Sequence, residues 1–181
     1  MIAYKSTVTG SDLSYSASYV ETCSTSTSGC NQGGSTGHGM TDGDYFGVTS
    51  YTGSGVTAYT DGTQGYQMSD TDGVAVLTFD TVSDADSASF DLFVQSTGWE
   101  TSDAIVASWI SSSGNVTLID TTGVDIDSLS YEGVWTTISS AVSGDGYLMI
   151  SFESNSATES IFIDNVVYSS DGLTVDDDDD N

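Results

Sequence analysis

Nowhere in this chain do apolar residues recur at the three- and four-residue spacing of an amphipathic helix. They fall instead in short runs of about five to eight, alternating or continuous, separated by Gly, Ser, Asp and Asn. The clearest runs are VAVLTF (74–79), SFDLFVQ (89–95), AIVASWI (104–110), VTLI (116–119), VWTTI (134–138), YLMISF (147–152) and IFIDNVVY (161–168), with DYFGV, GVTAY and GYQM as weaker candidates. Many short strands joined by turns predict an all-β fold, an antiparallel jelly-roll β-sandwich.

At 181 residues one domain is expected, and the chain is long enough to bury a substantial core. Residues 41–170 carry the strand pattern. Residues 1–40 read as an extension, in which IAYKSTV and LSYSASYV could form strands able to add to a sheet edge, in this domain or in a neighbouring copy. Residues 171–181 form an acidic tail or linker ending in the five-aspartate run 176–180.

The last run poses a chemical problem. In an extended strand Phe162, Asp164, Val166 and Tyr168 share one face, while Ile161, Ile163, Asn165 and Val167 share the other. A carboxylate placed among such residues needs a basic side chain, several backbone N–H groups or a metal ion. Basic partners are nearly absent: the chain has one lysine (Lys5), no arginine and one histidine (His38) against 27 acids, for a net charge of -26. Such a chain repels itself unless salt or bound cations offset the charge. A very salty cytoplasm and a cation-rich extracellular medium both fit. We favour the extracellular or cell-surface address, because aspartate-rich turns suit a hard cation.

The same charge balance argues against nucleic acid, whose phosphates are met mainly by Lys and Arg. Membrane insertion is not expected either, since no apolar run approaches the roughly 20 residues that span a bilayer. Cys23 and Cys30 bracket CSTSTSGC; the simplest reading is a short disulfide ring, favoured over a metal or redox pair. A Ser-His-Asp triad would have to use His38, which lies between glycines in STGHGM, and no GxSxG accompanies it. Glu100 and Asp103 in WETSD could pair for glycoside hydrolysis, but nearby acids are commonplace in this sequence. No catalytic residue is assigned, and the domain is not expected to be an enzyme.

From about Thr41 to Ser169, the segments DGDYFGV, GYQMSDTDG, LTFDTVSDADSASFDLFVQS, DAIVASWISSSGN, GVWTTIS and YLMISFESNSATESIFIDNVVY resemble the galactose-binding-like β jelly rolls of secreted enzymes and cell-surface proteins, a group that includes carbohydrate-binding modules. The resemblance implies a structural calcium held in part by the acid of the last strand. By position it implies Asp164 as a ligand, with Asp42, Asp44, Asp70 and Asp72 as candidates from the early acidic turns. Independently, calcium takes about six to eight oxygens, and TDGD and SDTDG offer them at turn geometry.

Aromatic residues supply the candidate ligand surface. Trp109 and Trp135 fall inside strand patterns, which points to packing, whereas Trp99 sits at a strand end between Gly98 and Glu100 and is the best candidate platform for a glycan. Tyr51, Tyr59 and Tyr66 could extend it. The expectation is a non-catalytic, calcium-binding extracellular module for adhesion, matrix or filament assembly, self-associating through its N-terminal strands. Its rivals are a carbohydrate-binding module that targets a larger enzyme and a polysaccharide-active domain.

Overall fold

The computed structural model describes residues 45–53, 55–71 and 73–170, together with the backbone of two N-terminal strands. The strands are β1 (Ile2–Lys5), β2 (Ser16–Tyr19), β3 (Tyr45–Thr49), β4 (Gly65–Ser69), β5 (Ala75–Thr78), β6 (Val82–Val94), β7 (Ala104–Ser111), β8 (Val116–Asp120), β9 (Trp135–Glu153) and β10 (Ser160–Ser169). All pair antiparallel, in the order β1-β2-β5-β9-β6-β10-β4-β3, with β7 joining β9 and β8 joining β7.

Two layers arise because β9 changes partners along its length. Its first half pairs with β6, from Phe93↔Trp135 to Ser87↔Ala141, and its second half pairs with β7 and β5. The first layer is therefore β3-β4-β10-β6-β9, and the second is β8-β7-β9-β5-β2-β1. The sequence pattern predicts two separate strands here, VWTTI and YLMISF. SGDG is instead a bend within one extended strand: Gly144 takes a φ of +72°, and the register with β6 shifts nearby. Gly146 is required for space, since a Cβ there would lie 2.5 Å from Cε2 of Trp109.

The core lies between the layers. Tyr66, Met68, Phe90, Leu92, Ile161 and Ile163 from the first meet Leu77, Ile105, Ala107, Leu148, Ile150 and Phe152 from the second. Alternation places these side chains inward and their neighbours outward. In β10 that alternation breaks once. Asn165 adopts a left-handed φ of +47°, and the pairing with β6 shifts between Asp164 and Val167. The extra residue reverses the parity of everything after it, so Val166 and Tyr168 join the inward face of Ile161 and Ile163, and Val167 is exposed. The single-face reading of Phe162, Asp164, Val166 and Tyr168 holds only for the first two.

GVTAY (55–59) is not a strand. It belongs to the connection between β3 and β4, where Val56 packs on Phe93 and Phe162 of the first layer's outer face. At the other edge, Ser18↔Thr78 and Tyr19↔Leu77 join β2 to β5 of the same chain, so the N-terminal strands extend the second layer.

Candidate functional site

The outer face of the first layer carries two adjacent rows. Register aligns Gln67, Phe162, Phe93 and Trp135 across β4, β10, β6 and β9, and one step along aligns Asp164, Asp91 and Thr137. Phe93 packs edge-on to Phe162 (centroids 6.1 Å apart) and lies 5.5 Å from Trp135. Residues 51–53 and 55–61 cross over this face. Tyr51 stacks on Phe162 at 6.1 Å with planes 10° apart, and Tyr59 lies 6.0 Å from Trp135. Gly65 lets Tyr59 lie against the sheet, because a Cβ at Gly65 would come within 3.0 Å of its ring. Tyr51 is 46% exposed, and Tyr59 and Trp135 are half-buried.

Asp164 is fully buried in this setting. Its Oδ2 accepts hydrogen bonds from the Thr60 hydroxyl (3.1 Å) and the Asp61 N–H (2.9 Å), while Oδ1 has no hydrogen-bond partner. Burial raises its pKa above the ordinary carboxylate range, and hydrogen bonding from the backbone of Asp61 and Asn165 and from Thr60 acts the other way. Asp91, directly across the ladder and also buried, accepts from the Thr137 hydroxyl at 2.6 Å and from Nδ2 of Asn165 at 3.1 Å.

A second acidic group sits among the loops at one end of the sandwich. One carboxylate oxygen from each of Glu100, Asp103 and Glu159 lies within 4.8 Å of the others. Asp103 and Glu159 are buried, and Glu100 is exposed. Asp103 Oδ2 accepts from the Glu100 N–H at 2.7 Å, and Glu159 Oε2 accepts from the Asn155 N–H at 3.2 Å. Burial first, then the charges of Asp103 and Glu100, push the Glu159 carboxyl up to about 7; burial also raises Asp103. No basic side chain among the described residues is available to compensate the group, since the sequence's lysine and histidine are Lys5 and His38.

These placements sort the expected residues. Asp70 is buried just past Ser69, which pairs with Ser160, whereas Asp164 lies past Ile163, which pairs with Tyr66. The two are separated by about 16 Å of strand at the usual rise and belong to different places. Asp42, Asp44, Asp72, Cys23, Cys30 and His38 lie outside the described residues. Trp99 is a core residue, 4% exposed, edge-on to Phe152 at 6.2 Å with its Nε1 donating to the Gln95 carbonyl. Tyr66 and Trp109 are also in the interior. Trp135, expected to serve packing, is the tryptophan that reaches the surface. Glu159, Asp91 and Thr60 were not foreseen; each is a single polar residue in ordinary strand or turn sequence, and only the register brings it to its partners.

No family model matches the chain, and no curated protein does. Among solved structures it is similar to TmCBM61 in complex with β-1,4-galactotriose (16% identity, 69% of this chain and 81% of that one, TM-score 0.46). It is also similar to the K2 cleaved adhesin domain of Lys-gingipain (13%, 61% and 74%, TM-score 0.43). A third is the family 11 carbohydrate-binding module from Clostridium thermocellum in complex with a β-1,3-1,4-mixed-linked tetrasaccharide (12%, 72% and 85%, TM-score 0.39). Each of these three matches has a TM-score below 0.5 and an identity of 16% or less.

Proposed function

We propose that this chain is a non-catalytic, extracellular glycan-binding module whose ligand meets the outer face of the first layer. The observation that carries this reading is the pair of rows on that face: an aromatic row that ends in half-exposed Trp135 and is overlaid by Tyr59 and Tyr51, beside a polar row that ends in exposed Thr137. A sugar ring offers an apolar C–H face to an aromatic plane, and its hydroxyls need hydrogen-bonding groups at the rim. An enzyme would need its carboxylates presented to a substrate; here Asp103 and Glu159 are buried and engaged with backbone N–H groups. The test is a glycan panel probed with wild type and Trp135→Ala. Binding without turnover, weakened at least about tenfold (about 1.4 kcal/mol) in the variant, supports the reading; no glycan bound by wild type refutes it.

Calcium is the second part of the proposal, and Glu100, Asp103 and Glu159 are the residues that would hold it. Three carboxylate oxygens within 4.8 Å are a donor set suited to a hard cation. Titration calorimetry with wild type and Glu159→Gln tests this, and equal calcium affinity in the two proteins would remove the group from the site.

A further inference from the structure

Phe93 and Phe162 point outward from the sheet and yet are 2% and 0% exposed. They are hidden by the chain between β3 and β4: Val56 packs on both, Tyr51 stacks on Phe162, and Gly55 approaches so closely that a Cβ there would lie 3.2 Å from Cζ of Phe93. This segment is closed on itself by the paired bonds between Gly53 and Val56 (2.9 and 2.8 Å) and by the Tyr59 hydroxyl on the Tyr51 carbonyl (2.9 Å). Two residues of the sheet grip it from below. Asp164 accepts from Thr60 and Asp61, and Trp135 Nε1 donates to the Ala58 carbonyl at 2.9 Å.

We propose that residues 51–61 are a strap latched by Asp164 over an aromatic floor of Phe93, Phe162 and Trp135, and that a glycan ring gains the floor when the strap lifts. The glycan half rests on the function proposed above; the strap itself does not. The latch carries its own cost. Closing the strap buries a carboxylate with one oxygen unpartnered, opposite a second buried carboxylate on the neighbouring strand. The unpartnered oxygen disfavours the closed form and offsets part of the apolar burial that favours it. Lifting the strap rehydrates Asp164 at the expense of exposing two phenyl rings. A ligand that covers those rings removes that expense and shifts the population toward the open form.

Hydrogen exchange of the full-length chain tests the strap without any ligand, in wild type, Asp164→Ala and Gly55→Ala. The alanine at 164 removes the latch. The alanine at 55 places a Cβ against Phe93 at a φ of +93°, which strains only the closed form. Both variants should speed exchange across 51–61 about tenfold or more while amides of β4, β6 and β10 stay protected. Unchanged exchange in 51–61 overturns the strap. So does loosening of β6 and β10 together with the segment in Gly55→Ala, because the segment would then be part of the sandwich's own cooperative unit. A glycan panel on Gly55→Ala separates the two readings. Tighter binding than wild type supports the floor as the ligand's seat; a lifted strap with unchanged affinity overturns the glycan half and leaves the strap in place.

Discussion

Two regions of this molecule bury carboxylates without a basic side chain, and they solve the problem in different ways. On the outer face, Asp164 and Asp91 stand directly opposite each other across a β ladder, each oxygen that is satisfied being bonded to a hydroxyl, an amide or a backbone N–H. At the loop end, Glu100, Asp103 and Glu159 bring carboxyl oxygens within 4.8 Å of one another, closer than three full charges tolerate. The first arrangement is built of hydrogen bonds and responds to their removal. The second needs a proton or a cation, and so it responds to the solution. In a chain with no arginine and a single lysine, buried acids lean on such routes more than on ion pairs.

The largest effect should come from pH at the loop end. The Glu159 carboxyl stands near 7 in the folded protein against an ordinary 4.5, so between those values the folded state holds a proton that the unfolded state has released. Stability therefore falls as pH rises through that window, by at most about 1.4 kcal/mol per pH unit and about 3 kcal/mol in all. Melting in chelator from pH 5 to 8 should show a declining midpoint for wild type and a much flatter one for Glu159→Gln. A wild-type profile as flat as the variant's would remove the contrast between the two regions.

Calcium should act next, and at the same end. Near pH 8, calcium at a hundred times its dissociation constant should stabilise the folded state by about 2.7 kcal/mol. Sodium chloride of matched ionic strength should restore much less, since screening acts on the whole acidic surface and not on one site. If the two salts raise the melting temperature equally, the carboxylate group holds protons alone. Asp164→Ala should leave the calcium response intact; if it abolishes the response, the ion belongs to the outer face, where the family resemblance first placed it.

The sequence made the architecture legible because strand periodicity is local. Each of the clear apolar runs lies in or overlaps a strand, and Trp109, expected to pack, is in the interior, as is Tyr66, offered as an extension of the ligand surface. Errors came where the outcome depends on a distant partner. SGDG has turn composition, but β7 and β5 wait beyond it to continue the ladder, so the chain stays extended. The left-handed Asn165 reverses the facing of Val166 and Tyr168, and no feature of IFIDNVVY announces a one-residue bulge. Trp99 is buried and Trp135 half-open for the same reason. A loop tryptophan is buried if something such as Phe152 stands behind it, and a strand tryptophan is half-open if it faces outward at the margin of a sheet. That Asp164 needed compensation was readable from its neighbours; that Thr60 and Asp61 would supply it was not.

The smallest effect should belong to the latch. Thr60→Val keeps the shape of the side chain and removes the hydroxyl that donates to Asp164 Oδ2, leaving the bond from the Asp61 N–H in place. A single hydrogen bond contributes about 1 kcal/mol net, somewhat more when its acceptor is charged. Because the bond joins the strap to the sheet and not the layers to each other, the loss should appear as roughly five- to tenfold faster exchange across 51–61, with the global melting temperature nearly unchanged. The matching change at the loop end, Glu159→Gln, should do the reverse, flattening the pH dependence of the melting temperature and leaving exchange in 51–61 as it was. If Thr60→Val instead lowers the melting temperature by as much as a core truncation, the strap is no separate element. Asp164 would then secure the sandwich itself, and the two acidic regions would differ in their chemistry but not in their role.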